Sequence, residues 1–300
     1  MHKVAIVVPV HPPKKKYVRN LIKSFRKNNS QYFDFYMIYT NEEEKECFNK
    51  MNENIKSIVL PTDINHSEIQ TRLLYPIFKK LYAVYILSQN DQYEYIITID
   101  AESLFLDMKY IHNICKRFTE KKEVYGNICN SCQKYNKVCK SLLKEFDKTF
   151  KNIDTSIYFF FSQIPIYECH IAKEFFKFIQ FHQFDKIIRK MTWETFEYPL
   201  YYYYCVARYG YKIVNLENFG INVKHSLECR LSIAIKTILD ENDIDINWQT
   251  VNNITLIHAI DYKICILYHL DRGAGPKKKD GCVWTQLTSM VYQKILEKYT

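Results

Sequence analysis

Glycine is scarce in this chain, with six residues in 300, and the first of them is Gly126. A Walker A loop or a G-x-G-x-x-G fingerprint needs glycine where the backbone closes around phosphate, so the amino-terminal third contains neither. That removes most P-loop and classical dinucleotide-binding hypotheses. Long apolar runs are missing too. None approaches the roughly eighteen residues of a membrane-spanning helix, and the run near Met1 to Val10 is too short for a signal segment and lacks a small-residue cleavage site. The chain is therefore expected to be soluble and cytoplasmic, with its ten cysteines as reduced thiols. Cys129-x-x-Cys132, with Cys115 and Cys139, matches no common zinc spacing and reads as free thiols in a surface insertion.

What is present is apolar and basic. A hydrophobic content of 47% over 300 residues can bury a large core. The net charge of +9 suits an anionic partner, whether a nucleotide diphosphate, a membrane surface or nucleic acid. The runs Lys14-Lys15-Lys16 and Lys277-Lys278-Lys279 are short, of the kind that usually form solvated faces, and are candidate peripheral membrane contacts only.

The first hundred residues alternate strand and helix patterns. Lys3 to Val10 is a continuous apolar run suited to a buried parallel strand, and Val18, Leu21, Ile22 and Phe25 recur behind it at helical spacing. Phe33 to Thr40 and Lys56 to Leu60 read as further strands. Ile77, Leu81 and Val84 mark a helix leading into the strand Tyr95 to Ile99. Such a βαβαβαβ order implies a mainly parallel sheet covered on both faces, with ligands at the carboxyl ends of its strands. Pro9, His11, Thr40 and Glu42 stand at those ends, as do Asp100 and Glu102, which close the fourth strand as D-x-E. A polar, Lys- and Cys-rich stretch from about Glu120 to Asn152 then separates two halves. The second half carries strand patterns at Ser156 to Ser162, Ile164 to Cys169 and Ile254 to Ile257. It also carries an aromatic segment from Trp193 to Tyr204, whose rings either fill the core or stack on a ligand.

Two carboxylates one residue apart at a strand end suit a hard divalent ion, Mg²⁺ or Mn²⁺, and a nitrogen ligand such as His258 tilts the choice toward Mn²⁺. An ordinary solvated turn would also tolerate the pair, and a structural histidine would explain His258. Candidate bases for removing a proton from an acceptor hydroxyl are Glu194 and Glu197, then Asp154 and Glu168. Glu194 leads because Trp193 beside it could desolvate the carboxylate and hold a sugar ring.

Taken together, Val7-Val8-Pro9-Val10-His11-Pro12, the Phe78-Lys79-Lys80-Leu81-Tyr82-Ala83 helix, Ile97-Thr98-Ile99-Asp100-Ala101-Glu102-Ser103-Leu104-Phe105 and a downstream histidine resemble the nucleotide-sugar glycosyltransferases of the GT-A fold, of a bacterial or large-DNA-virus type. The resemblance implies an α/β, Rossmann-like, mixed but mainly parallel central sheet flanked by helices. It implies one domain over 1–300: a nucleotide-sugar-binding half at 1–107, an insertion at 108–152, an acceptor-binding half at 153–272 and a carboxyl-terminal segment at 273–300. It also implies transfer of a sugar from a nucleotide diphosphate donor, a UDP-sugar by family habit, to a glycan or other hydroxyl acceptor. Asp100 would contact the ribose or the metal, Glu102 and His258 would complete the metal site, Pro9 to Pro12 would border the base, and Lys79 or Lys80 would lie near the nucleotide. The alternatives are a nucleotidyltransferase-like enzyme, which usually resembles a Gly-rich signature after the first strand that is absent here, and a non-enzymatic nucleic-acid-binding protein. The latter leaves the D-x-E unexplained, so nucleic acid is not expected as a partner.

Overall fold

The computed structural model describes residues 3–28, 31–51, 54–101, 103–105, 108, 111–126, 133–151, 153, 165–215 and 267–269. The first apolar run forms β1 (Val4–Pro9), whose Val4 to Val8 are wholly buried, as a strand covered on both faces requires. Helix α1 (Lys15–Asn28) returns over the sheet and buries Val18, Leu21, Ile22 and Phe25. Next come β2 (Phe33–Tyr39), the short α2 (Glu42–Glu46), β3 (Lys56–Val59) and α3 (His66–Thr71). Helix α4 (Tyr75–Ser88) starts with Pro76 in its first turn, where a missing N–H costs nothing, and leads to β4 (Tyr95–Thr98).

After β4 come β5 (Ser103–Phe105), α5 (Ile111–Lys121) and β6 (Glu123–Gly126), then α6 (Gln133–Phe146) and β7 (Ile166–Glu168). Helices α7 (Cys169–Phe178), α8 (Phe184–Lys190) and α9 (Glu197–Tyr209) precede β8 (Lys212–Asn215) and β9 (Leu267–His269). Gly210, at φ 70°, ends α9 in the left-handed conformation that stops a helix cheaply only with glycine.

The central sheet has the order β3-β2-β1-β4-β7. Its first four strands are parallel, and β7 pairs antiparallel to β4 with Ile97 opposite Ile166. It is the mixed, mainly parallel sheet flanked by helices that the strand–helix alternation predicts. Two small sheets, β5 with β9 and β6 with β8, lie apart from it. The chain moves from β1 outward through β2 and β3, then crosses back to β4 on the other side of β1. This reversal opens a crevice at the carboxyl ends of β1 and β4, the place where such sheets bind ligands.

The tyrosines of α9 are core, not a ligand platform. Tyr201, Tyr202 and Tyr203 are almost fully buried. The hydroxyl of Tyr202 accepts from Ile166 N at 3.0 Å and that of Tyr201 from Glu168 N at 3.2 Å. These bonds satisfy outward backbone donors of the edge strand β7, which would otherwise invite pairing with another chain. Among the described residues Cys47, Cys115, Cys139, Cys169 and Cys205 are free thiols. No described helix is long and apolar enough to cross a membrane.

Candidate active site

The crevice is lined by two charged networks built on adjacent residues of α4. Lys79 and Lys80 lie in the second turn of this helix, which runs back from the strands' carboxyl ends, and successive helical residues point about 100° apart. Each lysine therefore serves a different neighbour.

Lys79 reaches under the ends of β1 and β2. Its Nζ donates to Val10 O at 2.7 Å and to Glu44 Oε2 at 2.6 Å, in a pair that is almost wholly buried. The backbone N–H of Thr40 donates to the same Glu44 oxygen. His11, largely exposed, lies with Nδ1 3.5 Å from Glu44 Oε1. Burial, partly offset by Glu44, pulls the pKa of Lys79 below the ordinary lysine value. His11 and Thr40 thus come together around Glu44, a residue that sequence reasoning passed over. The signal was present: Asn41 caps α2 by accepting from Glu44 N at 2.8 Å, and N-x-x-E is a capping-box pattern whose glutamate turns back toward the preceding backbone.

Lys80 is buried between β4 and α9. Its Nζ lies 2.7 Å from Asp100 Oδ1, just past the end of β4, and 3.0 Å from Glu197 Oε1, the first residue of α9. Asp100 retains 37% side-chain exposure, while Glu197 retains 1%. A carboxylate at the first position of a helix is favoured by the helix dipole, which accounts for the place of Glu197 but not for its burial. Burial works against the Lys80 ammonium, but the attraction of Asp100 and then Glu197 outweighs it and raises its pKa. Burial, opposed by Lys80 and reinforced by Asp100, pushes the Glu197 carboxyl up. Glu197 Oε2 is buried without a hydrogen-bond partner among the described residues. Two carboxylates thus face one ammonium.

Glu194 stands apart from this cluster's ion pairs. It is half-buried, with Oε1 2.9 Å from Lys134 Nζ on α6. The same ammonium lies 4.6 Å over the Trp193 ring and 4.9 Å over Tyr135, and Trp193 is 47% exposed. The turn holding Trp193 and Glu194 is tied by Thr192, whose N donates to Thr195 Oγ1 at 3.1 Å, while Thr195 N donates back to Thr192 O at 2.9 Å. Glu168, the remaining candidate base, is committed elsewhere, accepting from Tyr211 OH at 3.1 Å and lying 3.0 Å from His170 Nδ1. Glu102, Asp154 and His258 lie outside the described residues, as do Cys129 and Cys132 and the strand patterns at Ser156 to Ser162 and Ile254 to Ile257.

No family model matches the chain, and no curated protein matches it. Among solved structures it is similar to an active-site mutant of LgtC, at 10% identity over 97% of this chain and 95% of that one, with a TM-score of 0.48. It is also similar to the galactosyltransferase LgtC in complex with donor and acceptor sugar analogs, at 11% identity over 96% and 95% of the two chains and a TM-score of 0.46. The glycosyltransferase GlyE of Streptococcus pneumoniae matches at 10% identity over 99% of this chain and 64% of its own, with a TM-score of 0.42.

Proposed function

We propose that this protein is a metal-dependent glycosyltransferase that moves a sugar from a nucleotide diphosphate donor, a UDP-sugar, to the hydroxyl of a glycan or similar acceptor. The observation that carries the reading is the Asp100–Lys80–Glu197 cluster at the reversal point of the sheet, where two carboxylates meet one ammonium. Asp100 is partly open to the crevice, its oxygen chemistry suits Mn²⁺ or Mg²⁺, and Glu102 and His258 are the further ligands proposed. When bound, the ion supplies Lewis-acid stabilisation of the diphosphate.

The chain's own groups perform the rest. Lys80, held charged between two carboxylates, offers its ammonium to the negative charge that grows on the diphosphate as the glycosidic bond breaks. Glu197 has no solvent access and positions Lys80. Lys79 is saturated by Val10 and Glu44, so it braces the loop after β1, where Pro9 and His11 border the base and Thr40 closes the neighbouring strand end. Glu194, beside the exposed Trp193, is the base that takes the proton from the acceptor hydroxyl, with Asp154 as the second candidate.

Thermal-shift measurements with UDP-, GDP- and CMP-sugars, with and without Mn²⁺, test the donor and the metal together. Stabilisation by a UDP-sugar that depends on Mn²⁺ is expected, and stabilisation by oligonucleotides alone would reject the reading. Glu102→Gln is expected to abolish transfer and leave the fold intact. Full activity in that variant would remove Glu102 from the metal site.

A further inference from the structure

Helix α1 has an outer face of one sign. Its fourteen residues contain Lys15, Lys16, Arg19, Lys23, Arg26 and Lys27 and no acidic residue, and all six cations are exposed. The apolar side of the helix is spent on the core through Val18, Leu21, Ile22 and Phe25. On one flank Lys15 lies 6.0 Å over the Phe48 ring and Arg26 donates to Met51 O at 3.5 Å. Lys16, Arg19 and Lys23 recur at the three- and four-residue spacing that aligns side chains along a helix, and they pair with no acid among the described residues.

We infer that this face of α1 is a docking surface for an anionic lipid bilayer. Charge complementarity selects a polyanion, and the shape of the face selects which kind. A helix lying along a sheet presents a row of cations side by side, and four of the six are lysines, point charges suited to a field of headgroups. Binding of single-stranded nucleic acid would call for aromatic side chains to stack bases. The face has none beyond Tyr17, which is half-buried and lies beneath Lys14 at 5.5 Å. With its apolar residues buried, α1 binds through charge alone and inserts nothing. The stripe begins just past β1, on the crevice side of the sheet. On the glycosyltransferase reading, a bound bilayer would bring lipid-borne acceptor hydroxyls close to the site, although the docking itself needs no such activity.

The test is sedimentation of the full chain with vesicles of phosphatidylcholine alone or mixed equally with phosphatidylglycerol. The expected result is binding to the mixed vesicles only, weakened by added salt. Each cation near an anionic surface contributes about fivefold, so Lys16→Gln, Arg19→Gln and Lys23→Gln together should weaken binding about a hundredfold. A control carrying Lys173→Gln, Lys177→Gln and Lys186→Gln loses the same charge from exposed positions elsewhere and should bind almost as the parent does. Thermal midpoints equal to the parent's establish that both variants are folded. Equal weakening in the two variants, no binding to mixed vesicles, or binding to single-stranded oligonucleotide but not to vesicles at the same salt would overturn the inference. None of these results depends on sugar transfer, so loss of the docking surface and loss of the proposed enzyme activity are told apart.

Discussion

The two ends of the central sheet are both tied together by charge, and they are tied in opposite ways. At the amino end, Asp34 of β2 joins the starts of all four parallel strands. It accepts from Lys3 before β1 at 2.7 Å, from Lys56 of β3 at 2.8 Å and from Tyr93 before β4 at 2.5 Å. Burial would raise the Asp34 carboxyl, but its bonds to Lys3, Lys56 and Tyr93 outweigh that and lower it, while burial of Lys56 is outweighed by Asp34 and its pKa rises. Both partners there are held in their charged forms. At the carboxyl end Lys80 is raised, by Asp100 and Glu197, but Lys79 is pulled down and Glu197 pushed up, because at these two groups burial exceeds what the partners return. An ion network that only fastens strands is solvated and satisfied. One whose charges are held against their desolvation cost is the kind found at functional sites, and it is the crevice end that has it.

The sharpest way to break this contrast is at Lys80. Lys80→Met leaves Glu197 buried with no cation and is expected to cost about 3–5 kcal/mol of stability, read from urea denaturation. Adding Glu197→Leu should restore most of that loss but not nucleotide-sugar binding, since both charges are then gone together. A single variant as stable as the parent would mean that the cluster is not desolvated. Lys79→Met comes next, expected to cost about 3 kcal/mol because Glu44 is left buried, and Glu44→Gln in the same chain should recover much of it. If that pair only braces the loop, the double variant keeps its affinity for the donor nucleotide in calorimetry. Loss of that affinity would give Lys79 the role assigned to Lys80.

These networks were unequally legible in the sequence. Strands β1 and β4 are readable because strands buried on both faces are continuous apolar runs, and Asp100 because a carboxylate closes one of them. The helix carrying Lys79 and Lys80 is readable from its apolar spacing, but not the division of labour between the two lysines, which depends on where α2 and α9 bring Glu44 and Glu197. The antiparallel direction of β7 was hidden as well, because apolar pattern records burial and not pairing direction. In the Trp193 to Tyr204 segment the core-filling reading holds for α9. The rings of α9 fill the core and use their hydroxyls on β7, while Trp193 stays exposed beside Glu194.

The amino end supplies the milder tests. Asp34→Asn removes the charge to which two ammonium groups and a phenol donate, and about 1–3 kcal/mol should be lost at neutral pH. Lys3→Gln, which deletes one half-exposed partner and leaves the others, should cost at most about 1 kcal/mol. The pH dependence separates the two ends more cleanly than either magnitude. The folded pKa of Asp34 lies below its ordinary 3.8, so the unfolded chain takes up that proton first. The contribution of Asp34 is therefore complete above about pH 5 and disappears as the pH falls through 3.8 toward the folded value. Stability measured between about pH 3 and pH 6 should fall less steeply with acid in Asp34→Asn than in the parent. A raised carboxyl has the opposite sign: Glu197 binds its proton more readily folded than unfolded, so its own contribution improves as acid is added. Glu197→Gln should therefore make the acid-side decline steeper, where Asp34→Asn makes it shallower. Two variants that bend the curve the same way would erase the distinction between the two ends of the sheet.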